Sequence, residues 1–250
     1  IKEYEITSIA IPPLGCGNGG LKWDKVKPMI ERYLGHLTNV DIRVYEPNEA
    51  VKELLKKQDA EKEVRLTTAR AMLLYALFYY ESLGEHTSLF VANKLAYFLQ
   101  RLGETSFNKL KFQAHHYGPY SVGVEHVLHK LNGKYLKGLE QMSAKAFEPL
   151  ELQYDKFNEV KDYVKKEFSL EQKARLSNLV KLINGFESTL SLEVLATIDF
   201  VKKENPGISQ EGVVEKIQQW SDRKHKLFHP KYIEIATKHL AEYSNGFNIS

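Results

Sequence analysis

Apolar and polar residues follow two rhythms along this chain, and the change between them divides it. Ile6, Ile9, Ala10 and Ile11 form a short apolar run that reads as a buried strand, closed by Pro12 and Pro13, which cannot donate to a ladder. Beyond a glycine-rich loop, Trp23, Val26, Ile30, Tyr33, Leu34 and Leu37 recur at steps of three and four, an apolar stripe along one helix face. Asp24 is the expected N-cap, and Pro28, which has no backbone donor, predicts a loose helix start. Residues 40–45, VDIRVY, read as a second strand. Strand, helix and strand in this order imply a right-handed parallel crossover.

Residues 46–65 are dense in charges of both signs and read as a helical linker with a solvated face. Helical spacing then dominates. It predicts helices over 68–83, ended by Gly84, over 88–102, ended by Gly103, and over 107–116. A tight break at Tyr117, Gly118, Pro119 and Tyr120 separates the last of these from a helix over 121–131. Gly138 and Pro149 forbid a long helix across 133–153 and suggest a short hairpin. Further helices are expected over 155–168, 170–184, 190–204, 210–221 and 230–243. Leu73, Leu74, Leu77, Phe78, Leu95, Phe98 and Leu99 are core candidates. The fold class is therefore α+β, a strand-helix-strand α/β segment (1–47), a charged helical linker (48–66) and a mainly α-helical domain (67–250).

Composition narrows the function. With 43% hydrophobic and 11% aromatic residues in 250, the chain can bury a substantial core. The net charge of +3 is small, and the first 65 residues carry 11 basic and 11 acidic side chains, so there is no dense basic footprint for nucleic acid. A lone cysteine, Cys16, excludes an internal disulfide framework and a thiolate zinc cage and fits a reducing cytoplasm. No apolar run approaches the roughly 20 residues of a membrane span. The chain opens at Ile1 in the approach to a strand, from which further upstream sequence is expected.

The chemistry concentrates in PPLGCGNGGLKWDKV. Glycine amides carry no side chain to block a phosphate, and the first turn of the following helix adds free donors and partial positive charge. Gly15, Gly17 and Gly20 formally satisfy a dinucleotide fingerprint, with Glu46 placed as a ribose-binding acid. However, two prolines precede the loop, Pro28 falls inside the helix, and no further strand-helix alternation follows. Cys16 could act as a nucleophile at a helix N-terminus, but no histidine adjoins it, and a phosphate loop tolerates small residues. Among nine histidines, His126 with His129, or His225 with His229, could share a helix face. Neither pair has a third ligand, and no metal or cofactor is expected.

The loop resembles the second phosphate-binding loop of macrodomains, and in detail that of DarG antitoxins, DNA ADP-ribosyl glycohydrolases of DarT-DarG toxin-antitoxin systems. The likeness continues through KPMIERYL and VDIRVYEP, and returns in NKLKFQAHHYGPYSVGVEHVLHKLNGKYLKG, which resembles the DarG C-terminal domain. The Tyr-Gly-Pro-Tyr turn is also similar to the Panacea antitoxin domain. By this resemblance residues 1–47 are the C-terminal remnant of a macrodomain. Gly15, Cys16, Gly17, Asn18, Gly19, Gly20 and Leu21 are implied to wrap the ADP-ribose diphosphate and adjoining ribose. The family's catalytic lysine is implied to lie upstream, and Gly19 stands where related terminal ADP-ribose hydrolases keep an aspartate. No catalytic residue is therefore assigned, and the chain alone is expected to be inactive.

The resemblance further implies that the helical domain binds a DarT-like ADP-ribosyltransferase toxin by imitating single-stranded DNA. Exposed carboxylates would stand in for phosphates and planar groups for bases, and Phe112, His115, His116, Tyr117, Tyr120 and Glu125 are the candidates. Two other functions stay open: a helical adaptor or nucleic-acid-binding module without enzymatic role, and a fragment of a dinucleotide-binding oxidoreductase.

Overall fold

In the computed structural model the described residues are 1, 3–16, 21–48, 50, 63–139 and 145–247. The fold is α+β and mainly helical. Most of the charged linker falls outside the described residues.

At the N-terminal end, β1 (Ser8–Ile11) and β2 (Asp41–Val44) pair in parallel, with Ser8 opposite Asp41 and Ile11 opposite Val44. The crossover helix α1 (Trp23–Leu34) lies between them in sequence. Its stripe is narrower than expected. Val26 and Ile30 join Ile11 in a small buried cluster edged by Ile9, Cys16, Trp23, Leu34, Ile42 and Val44, while Tyr33 is exposed. The helix begins one residue before Asp24, with Lys22 at the cap and no side-chain cap bond. Asp24 instead places its charge in the first turn, where the helix dipole favours it. Pro28 sits in the second turn on the exposed side.

The larger body rests on two helices buried nearly all round. In α3 (Leu89–Arg101) every residue from Leu89 to Leu99 is buried, and in α7 (Thr189–Glu204) every residue from Leu192 to Val201 is. Such helices can present only apolar or mutually satisfied polar groups. α2 (Thr68–Ser82) packs against α5 (Phe157–Glu167), and α7 also meets α10 (Pro230–Phe247). α6 (Leu170–Ile183) opens on a capping box from Ser169 and Gln172, a reciprocal pair that satisfies two end donors. Serine or threonine also caps α2, α3, α7 and α8 (Gln210–Trp220). Each core candidate from the sequence is buried in this one large cluster.

Three local expectations change. Residues 107–116 are not helical: a single turn of 3-10 helix (Thr105–Phe107) gives way to β3 (Gln113–His115), which pairs antiparallel with β4 (Gly118–Tyr120). Gln100 explains the departure, because its side-chain amide donates to the carbonyls of Phe107 and Leu110 at 2.8 and 2.9 Å. Those acceptors are thereby satisfied outside a helix. Second, the break after residue 116 is a hairpin tip feeding α4 (Val122–Leu131). Third, a short helix, α9 (Asp222–Leu227), follows α8 and is capped by Ser221. The hairpin anticipated within 133–153 is present as β5 (Leu136–Lys137) against β6 (Glu151–Leu152).

The contact between α3 and α7 contains a buried ion pair joined by a tyrosine hydroxyl. Asp199 accepts from Tyr97 Oη at 2.6 Å and from Arg101 Nε at 2.8 Å. Both Arg101 and Asp199 side chains are at most 10% exposed. Removing one partner of such a pair strands the other in low dielectric. Asp199→Ala is expected to lower stability by about 3–5 kcal/mol, measured by urea unfolding, whereas exchange of the exposed Lys161 for alanine stays within about 0.5 kcal/mol.

Candidate functional site

Two regions hold the residues singled out from sequence. In the loop after β1, the amide of Cys16 donates to Pro13 O at 3.1 Å and that of Leu21 to Gly15 O at 2.9 Å. Gly15 adopts φ +69°, and a Cβ there would stand 2.7 Å from Leu21 Cδ1. The left-handed backbone is what favours glycine here, since the exposed Leu21 side chain could give way. The structure thus joins Gly15, Cys16 and Leu21 at the base of one loop. Gly17, Asn18, Gly19 and Gly20 lie outside the described residues. Cys16 is half-buried with its thiol 3.5 Å from Leu14 O. Glu46, the ribose acid a dinucleotide fold would need, is paired with Lys27, whose hydrogen bond and charge hold its carboxyl below the ordinary range.

The second region is the β3–β4 hairpin. His115 and His116 are exposed, Phe112, Tyr117, Tyr120 and Glu125 half-buried, and Gly118 and Pro119 buried. Phe112 faces the core, edge-on to Tyr97 at 5.2 Å. The other five gather at one end of α3. Tyr117 meets Phe147 at 4.5 Å and His116 at 4.6 Å, and the Arg223 guanidinium lies 4.9 Å over its ring. Tyr120 stacks near His115 at 5.0 Å and donates its hydroxyl to Glu125 Oε2 at 2.8 Å. Burial and that carboxylate push the Tyr120 phenol pKa up. Trp220 Nε1 donates to His115 O at 3.0 Å, tying the hairpin to α8.

Beneath the hairpin lies a polar hub that sequence reasoning missed. Lys94, 2% exposed, donates to Pro119 O at 2.7 Å. Glu193 Oε1 accepts from Arg223 Nη1 at 2.6 Å and Lys224 Nζ at 2.7 Å, and Lys224 also reaches Thr197 Oγ1 at 3.3 Å. Gly118 fits here because it has φ +91° and because a Cβ would stand 2.7 Å from Thr197 Oγ1. The available signal was the placement of Lys94 and Glu193 inside mainly apolar helical runs, LFVANKLAYFL and LSLEVLATIDF. A charge at such a position must find a buried partner.

Among the described residues no cluster of three or more His, Cys, Asp or Glu could hold a metal ion. His129 instead approaches Glu125 at 3.7 Å. No helix there is long and apolar enough to cross a membrane.

No family model matches the chain, but curated relatives do. A DNA ADP-ribosyl glycohydrolase of Thermus aquaticus is 35% identical over 240 residues, 94% of this chain and 63% of that protein. Its namesake in Mycobacterium tuberculosis is 27% identical over 249 residues, covering 94% of this chain and 69% of the relative. A 48-residue stretch, 19% of this chain and 12% of the relative, is 46% identical to a DNA ADP-ribosyl transferase-DNA ADP-ribosyl glycohydrolase fusion protein of Thermosipho africanus. Over nearly its whole length the chain is similar to proteins named DNA ADP-ribosyl glycohydrolase, in agreement with the resemblance its motifs carry. It spans about 63% of the Thermus relative's length.

Two outcomes test the hub. Gly118→Ala strains a left-handed backbone position and forces Thr197 aside, so it is expected to cost about 2 kcal/mol or more, read as a lowered urea midpoint. Burial also pushes the Lys94 amine down to about 7, with Lys224 adding to the shift and Glu193 opposing it. Lys224 is lowered by burial too. Folding then releases protons above that value, so the burden of burying the Lys94 amine is complete below about pH 7 and lifts toward its ordinary 10.5. Stability should rise from about pH 7 to 9.5, and Lys94→Met should reduce the slope by up to about 1.4 kcal/mol per pH unit. Urea titrations at three pH values check this.

Proposed function

We propose that the chain is part of an antitoxin acting in the cytoplasm on DNA ADP-ribosylation. In this reading the β1–α1 loop, Gly15 to Leu21, grips the diphosphate of ADP-ribose, and the helical body neutralises a DarT-like ADP-ribosyltransferase toxin. The observation that carries it is the 35% identity to a DNA ADP-ribosyl glycohydrolase across 94% of the chain, a stretch that includes both loop and helical body. The reaction of the whole protein would hydrolyse the N-glycosidic bond between ADP-ribose and a DNA base. Water adds across that bond, so the ribose gains a hydroxyl and the base nitrogen regains a proton.

The hairpin suits the neutralising role. Its stem is held by the buried bond from Lys94 to Pro119 O, while His115 and His116 are exposed and the Glu125 carboxylate accepts from Tyr120, whose ring lies against His115. Planar groups next to negative charge are what a strand-mimicking surface needs. The match to a fused transferase and glycohydrolase supports the pairing of the two activities. The dinucleotide reading loses its ribose acid to Lys27, and the described residues contain only two parallel strands.

The test is a pull-down of a DarT-like toxin by the purified chain, without nucleic acid, followed by competition with a single-stranded oligonucleotide. The complex is expected to form and to be displaced by oligonucleotide. His116→Ala with Tyr117→Ala is expected to weaken it at least tenfold without changing the circular dichroism spectrum. Capture of oligonucleotide but no toxin would establish the nucleic-acid-binding alternative instead.

A further inference from the structure

A cavity of about 240 Å³ opens beside the hairpin, lined by Phe90, Lys94, His115, Tyr117, Tyr120 and Glu125 among others. An apolar cavity of about 150 Å³ is enough to hold benzene, so this one admits a substituted single ring. Aromatic walls with a few polar groups are the pattern of a small-molecule site.

The amine of Lys94 stands at the wall of this cavity. Its Nζ lies 4.8 Å from the centre of the Phe90 ring, and a Cβ placed on Gly118 would come within 3.5 Å of it. Phe90 and Gly118 both line the cavity together with Lys94. One hydrogen bond, to Pro119 O at 2.7 Å, fixes where the amine sits.

The surroundings of this amine favour its neutral form. Burial is the largest cause, and the charge of Lys224 adds to it, which together bring Lys94 down to about 7. Glu193 opposes them without prevailing. Its Oε1 is engaged by Arg223 and Lys224, while its buried Oε2 has no hydrogen-bond partner among the described residues. The hub therefore keeps negative charge in reserve for a cation formed at Lys94. A desolvated lysine beside another cationic group is how proteins make an amine nucleophilic.

We propose that Lys94 is a covalent docking site for a small planar aldehyde, which enters the cavity and condenses with Nζ to an imine. The Nζ lone pair forms the bond to the carbonyl carbon, and both amine hydrogens leave with the carbonyl oxygen as water. A proton from solvent then converts the imine to an iminium cation, and nothing is oxidised or reduced. The iminium keeps one N–H for Pro119 O, so the anchor of the hairpin survives the reaction, and Glu193 offsets its charge. The flat body of the aldehyde lies among the aromatic walls. The site needs no toxin and does not rest on the function proposed above.

The test treats the full chain with 4-hydroxybenzaldehyde and cyanoborohydride, which reduces the iminium to a stable amine, and maps the product by tryptic mass spectrometry. The expected adduct sits on the 71–101 peptide, where trypsin no longer cleaves after residue 94. At pH 7.5 it should form at least twentyfold faster than the adduct on the exposed Lys161, because far more of the Lys94 amine is neutral than of an ordinary lysine. That preference should shrink at least tenfold by pH 9.5, where ordinary amines are losing their proton and Lys94 has none left to lose. Unfolding in urea should abolish it. 1-Pyrenecarboxaldehyde, with four fused rings, exceeds the cavity and is expected to label exposed lysines but not Lys94. Labelling of Lys94 no faster than of Lys161, a preference that persists in urea, or equal labelling of Lys94 by the pyrene aldehyde overturns the proposal. Every comparison is made within the wild-type chain, so none depends on how a variant folds.

Discussion

The bond from Lys94 to the carbonyl of Pro119 is the contact on which the hairpin depends. A proline in a strand has no N–H, so the ladder cannot be extended through that position, and its carbonyl needs an acceptor's partner from elsewhere. Lys94 reaches up from the most deeply buried helix to provide one. The amine forfeits hydration in doing so, and the aromatic face of Phe90 and the charge of Glu193 return part of what is lost. A short two-stranded hairpin is marginal by itself, and here its stability is that of the helical core beneath it.

Both central helices follow the same rule. α3 and α7 are surrounded, so the carboxylates on the buried stretch of α7 are answered by cations, Asp199 by Arg101 and Glu193 by Arg223 and Lys224, while Lys94 of α3 is answered by a main-chain carbonyl. Buried pairs of this kind add little net stability compared with an apolar core, but losing one member is severe. They therefore act as register marks. α9 is placed by Lys224 and Arg223, and through Arg223 the ring of Tyr117 is positioned as well, so a six-residue helix far along the chain helps to set the hairpin tip.

Much of this was legible in sequence because its causes are local. The β1–α1–β2 crossover followed from an apolar run, a three-four stripe and a second run, and the helices of the body from their spacing and the glycines at 84 and 103 that end two of them. The failures have one cause, which is long-range satisfaction of polar groups. Residues 107–116 carry helical spacing, yet the side chain of Gln100 claims the carbonyls of Phe107 and Leu110, a contact no local window contains. Lys94 and Glu193 drew no reading from the sequence, because their role requires knowing that β4 and α9 converge on them. Tyr120 and Glu125 were singled out for their chemistry alone. Their mutual hydrogen bond and the cavity they share became visible only with the hairpin in place.

The way the hairpin is anchored separates what the fold requires from what its outer face displays. The requirements fall on Gly118, whose backbone and surroundings exclude a side chain, and on a main-chain oxygen of Pro119 that residue identity hardly alters. His116 and Tyr117, at the tip between the strands, contribute side chains that the buried lysine never touches. The exposed His116 can therefore change what the tip presents without touching the bonds that hold the stem.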